Sequence, residues 1–229
     1  MDSVPLKSNR TTNFGVAFRA SRTQVGRMLG SVRASLQILR NAFRWRAGKC
    51  DYRRWSSAQG LEQWWDDRTK TIAKRIPGGS KVIEFGAGRR QLEKFLPEDC
   101  SYVPSDIIDR GPGTVICDLN SPALPDLTRL GCDTAVFGGV LEYVRDVPAV
   151  ARWLADSGMK TCVASFDPVP AGLWAVGLWR ETARRAYFGY MNRLTEAELV
   201  GAFEAAGFFC SRRETWTNQI VMCFHKQPK

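Results

Sequence analysis

The run Val82-Ile83-Glu84-Phe85 ends in Gly86-Ala87-Gly88, which sets a carboxylate two residues ahead of a Gly-x-Gly pair. Glycines in that place let a strand turn tightly and let the backbone approach a nucleotide-like ligand closely. A dinucleotide site would want a third glycine at position 91, where Gln91 stands, and an apolar residue where Glu84 stands. A carboxylate there suits a cationic ammonium. Asp106 ends the next apolar segment, 22 residues after Glu84, where an acid can accept from both hydroxyls of a ribose. Asp118, in Cys117-Asp-Leu-Asn120, closes a third segment and could cap a turn before Ser121-Pro122. The lone histidine, His225, and the lack of any H-x-x-x-H or Ser-His-Asp pattern leave metal hydrolysis and triad chemistry without residues to carry them, and no metal site is expected.

In this order the residues resemble the motifs of the class I S-adenosylmethionine-dependent methyltransferases, and most of all small bacterial members of the methyltransferase type 11 kind. The resemblance covers about residues 60–229. It implies S-adenosyl-L-methionine as cofactor, its methionine end held at Glu84, Gly86, Ala87 and Gly88, its ribose at Asp106 and Ile107, and its adenine at Asp118 and Leu119. Phe137-Gly-Gly-Val-Leu-Glu-Tyr143 resembles the family's segment after the fourth strand, usually written with Leu-Glu-His, so Gly138 and Val140 would face the methyl-bearing sulfonium. The chain departs from the family at Arg90, where a third glycine is common, and at Tyr143, which replaces the histidine. Tyr143 and Glu142 are the catalytic candidates, with Asp146 and Asp167 as further bases, although Glu142 could instead brace the loop through backbone amides. The Asn/Asp-Pro-Pro-Tyr/Phe signature of base-amino methyltransferases is absent. The implied acceptor is a small molecule, a sugar or a lipid-linked glycan. The alternatives are a non-catalytic binding protein that kept the fold, or an RNA-directed methyltransferase.

The elements that must position these residues alternate as in an α/β chain: a Rossmann-like doubly wound, mostly parallel sheet with a C-terminal antiparallel hairpin, plus an N-terminal basic helical extension. Strands are expected at Lys81–Phe85, Ser101–Pro104, Thr114–Cys117, Asp133–Phe137 and Thr161–Phe166, with the hairpin at Phe208–Glu214 and Asn218–His225. Helices are expected at Gly60–Arg75, with Trp64, Trp65, Thr71 and Ile72 on or near its buried side, from Gln91, at Val147–Asp156, and at Leu194–Ala206 behind Thr195-Glu-Ala-Glu198. Pro168–Tyr190 breaks the alternation. It is rich in Trp, Gly and Arg, and insertions at the carboxyl ends of strands carry substrate-binding parts. Trp174, Trp179 and Arg180 would form an acceptor lid there, or else a helix packing its tryptophans into the core.

Charge divides the chain into a basic extension, 1–54, and a methyltransferase-like domain, 55–229. Residues 1–54 hold twelve Lys/Arg against Asp2 and Asp51, while the remaining 175 carry 21 of each sign, so the whole net charge of +10 sits in the first quarter. From Ser21 to about Arg46, Val25, Met28, Leu29, Val32, Leu36, Leu39 and Phe43 share one helical stripe, with Arg22, Arg33, Arg40 and Arg44 along one border. Three partners suit such a helix: an anionic membrane surface, the catalytic domain or a second subunit, and, least, nucleic acid, for which no motif is present. Seven scattered cysteines without a C-x-x-C pair read as reduced thiols. No apolar run reaches the roughly 18 residues of a membrane span. Together these point to the cytoplasm, with peripheral contact at the inner membrane face as an option. Sequence leaves the oligomeric state open.

Overall fold

Alternation of buried positions with a period of two on both faces is what turns these apolar runs into a central sheet. The computed structural model describes residues 32–47, 51–57 and 65–227. Helices α1 (Val32–Arg46), α2 (Tyr52–Ser56) and α3 (Asp66–Ala73) precede β1 (Lys81–Phe85), β2 (Ser101–Asp106), β3 (Val115–Ile116) and β4 (Thr134–Gly138). Then come α4 (Val147–Asp156), β5 (Thr161–Phe166), α5 (Ala175–Phe188), α6 (Glu196–Ala205), β6 (Phe208–Trp216) and β7 (Gln219–Lys226). The seven strands lie in the order β3-β2-β1-β4-β5-β7-β6. β1 to β5 are parallel, and β7 runs antiparallel between β5 and β6. The expected doubly wound sheet and closing hairpin are both present.

Two cores flank the sheet. Ile83, Phe85, Phe137, Phe166 and Phe224 point to the side covered by α4 and α6. Val82, Val136, Val163 and Val221 point to the other, where Ile72 and Ala73 of α3 and Leu92 cover them. The crossover reverses at β1, with β2 on one side and β4 on the other, and open α/β sheets bind ligands in the crevice beyond strand ends at such a point.

Some boundaries differ from expectation. The helix expected from Gln91 is a single 3-10 turn, Leu92–Lys94. Arg90 in the left-handed region (φ 55) turns the chain just before it, and Pro97, which has no N–H to give, stands just beyond it. β3 shrinks to two residues at the sheet edge. Of the helix expected over 60–75, Asp66–Ala73 is present and stops two residues early, while residues 60–64, with Trp64, lie outside the described residues. Thr195 and Glu198 form the expected capping box of α6. The 168–190 insertion carries α5, and its tryptophans do not pack into the core, because Trp174 and Trp179 are both exposed.

The basic helix is visible as α1, whereas residues 21–31, with Val25, Met28 and Leu29, lie outside the described residues. α1 docks on α5 through Ala34 and Asn41, which are buried. Asn41 donates to the carbonyls of Ala186 and Tyr187 at 2.8 and 3.0 Å, joining the Gly189 N–H at the first and capping the last turn of α5. Trp45 Nε1 donates to Met191 O at 3.1 Å. Among the described residues no helix is long and apolar enough to cross a membrane, no cluster of side chains suits a metal ion, and the six cysteines are unpaired.

Candidate functional site

One cavity of about 1580 Å³ opens at the carboxyl ends of β1, β2 and β4 and runs beneath the 168–190 insertion. Its first end is made largely of backbone. Gly86 leaves β1 at φ +70, and a Cβ there would lie 2.5 Å from Val140 Cγ2, so a side chain has neither the conformation nor the room. The Ala87 N–H donates to Ser105 O at 3.0 Å, tying the turn to the end of β2. Glu84 is buried at the cavity wall and accepts from Tyr102 Oη at 2.6 Å. Burial pushes its carboxyl up to about 8, against the opposing effects of that hydrogen bond and of the nearby Arg68 charge.

Asp106 gathers more partners than a free acid would. Oδ2 accepts from the Gly88 N–H at 2.9 Å and from Arg110 Nε at 3.0 Å, and Oδ1 accepts from the Ile107 N–H at 2.7 Å. Both ends of the Asp106–Arg110 pair are buried, and Arg110 also donates to Trp55 O on α2. Asp118 and Leu119 line the cavity, with Asp118 accepting from the Asn120 N–H at 2.9 Å in a tight turn. Asn120 then donates to Tyr143 O at 2.8 Å and accepts from the Arg145 N–H at 2.8 Å, joining the β3 and β4 loops. Gly138 and Val140 also line the cavity.

Arg68 of α3 had no distinguishing mark in the sequence, being one arginine in a polar helix. It is buried, donates to Gly138 O at 2.9 Å and to Gln219 Oε1 at 3.1 Å, and lies 5.3 Å from the Trp65 ring centroid. A Cβ on Gly139 would sit 2.5 Å from Arg68 Nη1, so that glycine is what admits the guanidinium to the loop after β4. Burial lowers the Arg68 pKa while the charges of Glu142 and Glu84 raise it.

The other end of the cavity is built of side chains. The Tyr143 ring stands edge-on between Trp55 (4.9 Å between centroids) and Tyr190 (5.2 Å), and Phe188 stacks on Tyr190 at 5.8 Å. Burial drives the Tyr143 phenol far above its ordinary range, which keeps it a hydrogen-bond donor. Asp167 accepts from Arg184 at 2.7 and 3.1 Å, from Tyr190 Oη at 3.1 Å and from Asn218 Nδ2 at 2.9 Å. Trp179 and Arg180 lie along the cavity wall, but Trp174 is not part of it.

Glu142 lies outside the cavity lining. Its Oε1 accepts from the Asp167 N–H at 2.8 Å, and burial pushes it up to about 7, so the geometry is that of the bracing alternative. Asp146 caps α4 by accepting from the Ala149 N–H at 2.9 Å. Of the four base candidates, Tyr143 and Asp167 alone border the cavity. His225 sits on β7 beside Thr161 and Cys223, away from the cavity.

No protein-family model matches the sequence, and no curated protein matches it. Solved structures do. Mitomycin 7-O-methyltransferase MmcR superposes with a TM-score of 0.58 at 14% identity, over 93% of this chain and 72% of that one. The Burkholderia thailandensis 1,6-didemethyltoxoflavin-N1-methyltransferase, solved with its acceptor and S-adenosylhomocysteine, gives 0.53 at 17% identity over 87% and 92% of the two chains. The neocarzinostatin O-methyltransferase NcsB1, in complex with S-adenosylmethionine and 2-hydroxy-5-methyl naphthoic acid, gives 0.55 at 18% identity over 85% and 69%. The chain therefore has the fold of the class I S-adenosylmethionine-dependent methyltransferases.

Proposed function

We propose that this chain is an S-adenosylmethionine-dependent methyltransferase acting on a small-molecule acceptor. The observation that carries this reading is that the Glu84–Gly86–Gly88–Asp106 turn and the Trp55–Tyr143–Tyr190 box open into one cavity. The residues present fit the cofactor. Glu84 is a buried carboxylate suited to an ammonium, Gly86 leaves space that a Cβ would fill, and Leu119 offers an apolar wall for a flat ring. Asp106 fits on condition that Arg110 yields or shares its carboxylate. When bound, S-adenosylmethionine supplies an already activated methyl group.

The task left to the side chains is to align the acceptor and exclude water. Trp55, Tyr143, Phe188 and Tyr190 supply a flat, apolar enclosure for a ring, and the protonated Tyr143 hydroxyl can donate to an acceptor oxygen or nitrogen. Of the base candidates that border the cavity, Tyr143 holds its proton and Asp167 already accepts from Arg184, Tyr190 and Asn218. This favours acceptors already ionised near neutral pH, such as an acidic phenol that has lost its proton to solvent, or that need no base, such as a ring nitrogen. The aromatic acceptors named for two of the similar structures support the same class. Sugars and lipid-linked glycans remain within the proposal as a second class of ring acceptor.

Calorimetry with S-adenosylmethionine, followed by labelled-methyl transfer onto panels of phenols, N-heteroaromatics, glycans, lipid extracts and RNA, tests the proposal. Failure to bind would overturn it. Tight binding without transfer to any panel would favour a non-catalytic binding protein.

A further inference from the structure

The apolar stripe of α1 faces away from the protein. Val32, Leu36, Leu39 and Phe43 are 77%, 55%, 56% and 72% exposed, whereas Ala34 and Asn41 are buried against α5. At 100° per residue the two sets lie about 180° apart, so the helix docks by the side that carries Ala34, Ile38, Asn41 and Trp45 and presents the side of Val32, Leu36, Leu39 and Phe43 outward. An amphipathic helix in water does the reverse. The first half of α5 also carries open apolar side chains, with Trp174 (88% exposed), Val176, Leu178 and Trp179. Asn41 meets Ala186 and Tyr187 and, one turn on, Trp45 meets Met191.

The charge beside this surface is of one sign. α1 contains no acid, and Arg33 and Arg40 lie along one border of the stripe with Arg46 along the other. None of the three makes an ion pair among the described residues, whereas Arg44 is paired with Asp51 at 2.6 Å. The acid of α5, Glu181, is taken up by Arg184 and Arg185, and Arg180 has no ion pair among the described residues. Residues 1–31, outside the described residues, add five more Lys/Arg against Asp2. A second copy of the chain is a poor occupant, since it would set these arginines against their own kind. Nucleic acid would leave Val32, Leu36, Leu39 and Phe43 in water. An anionic lipid surface satisfies both features, taking apolar side chains into the acyl boundary and arginines at the headgroups.

We propose that the outward faces of α1 and of the first half of α5 dock this protein on an anionic bilayer surface. Trp179 belongs both to this face and to the cavity wall, so docking brings the mouth of the cavity to the lipid. The proposal does not depend on the reaction performed inside.

Co-sedimentation of the full chain with vesicles of phosphatidylcholine alone, and of phosphatidylcholine and phosphatidylglycerol at three to one, tests it. Binding to the anionic vesicles is expected to exceed binding to the neutral ones by at least about tenfold and to weaken as salt rises. Leu39→Asp/Phe43→Asp is expected to abolish it, and Arg33→Glu/Arg40→Glu, which leaves the apolar stripe intact, to reduce it by about tenfold. All three proteins should bind S-adenosylmethionine alike by calorimetry, which separates this result from any failure of the methyltransferase reading. Equal binding to both vesicle types, or no effect of either double substitution, would overturn the proposal. So would a dimer in light scattering that Leu39→Asp/Phe43→Asp converts to monomer, since that assigns the face to a second copy.

Discussion

The two ends of the cavity are made of different material. The end holding Gly86, Gly88 and Asp106 is shaped by the backbone, with glycine dihedrals and amide donors in the main roles. The end holding Trp55, Tyr143, Phe188 and Tyr190 is shaped by side chains from three separated places in the chain. A backbone-built end tolerates little change, because a Cβ in the wrong place cannot rotate away. A side-chain-built end can be recut one residue at a time while the sheet beneath stays put, which is how one fold takes different acceptors.

That contrast can be broken, and the strongest test is at the turn. Gly86→Ala should lower affinity for S-adenosylmethionine about 100-fold by calorimetry, through positive-φ strain and the contact with Val140. Gly113→Ala is the control, because it shares a positive φ with no atom within 4 Å of the new Cβ. A threefold or smaller loss at Gly86 would remove the turn from the cofactor site. Next, Tyr143→Ala should cut turnover about 30-fold while cofactor affinity changes by less than about threefold, since it deletes two edge-on ring contacts in the box. A parallel loss of cofactor affinity would show that the two ends are not separable.

A smaller effect is expected at Asp106. If Arg110 competes with a ribose for that carboxylate, Arg110→Met should raise cofactor affinity about tenfold, or 1.4 kcal/mol. A loss of affinity would mean that Arg110 instead holds Asp106 in its binding geometry.

The smallest effect concerns pH. Glu84 holds its proton up to about 8 when buried, against an ordinary 4.5. The folded state thus binds more protons than the unfolded one across that interval, and stability contributed by the protonated form is lost as pH rises from about 4.5 to about 8. An ammonium ligand needs the ionised carboxylate, so cofactor affinity should climb steadily from pH 6 to pH 8.5. Glu84→Gln should flatten that profile, and an unchanged slope would take Glu84 out of the account.

The same contrast explains what could be read in the sequence. The β1 run, its Gly-x-Gly turn, Asp106 at the end of β2 and the capping box of α6 are local patterns, each written within a few residues. Arg68 and Asn120 act through partners 70 and 23 residues away, and no local spacing marks them. Arg110 is only four residues from Asp106, yet nothing distinguishes it from an ordinary turn arginine until Trp55 is seen beside it. The stripe of α1 was legible as a helix face. Which way it would turn was not, because that depended on Asn41 finding the carbonyls at the end of α5. The expected helix after Gly88 was lost to the left-handed Arg90 and to Pro97, two neighbours that outweigh an apolar pattern.

β7 lies between β5 and β6 although it follows both in the chain. During synthesis β5 therefore emerges with one edge unpaired, and β6 arrives with no neighbour to join until β7 has left the ribosome. At about 5–20 residues per second the wait lasts several seconds, during which Thr161–Phe166, buried along its whole length in the finished protein, exposes a strand edge to the cell. This protein should consequently lean on chaperones, and should aggregate most readily as nascent chains stalled between Phe166 and Gln219.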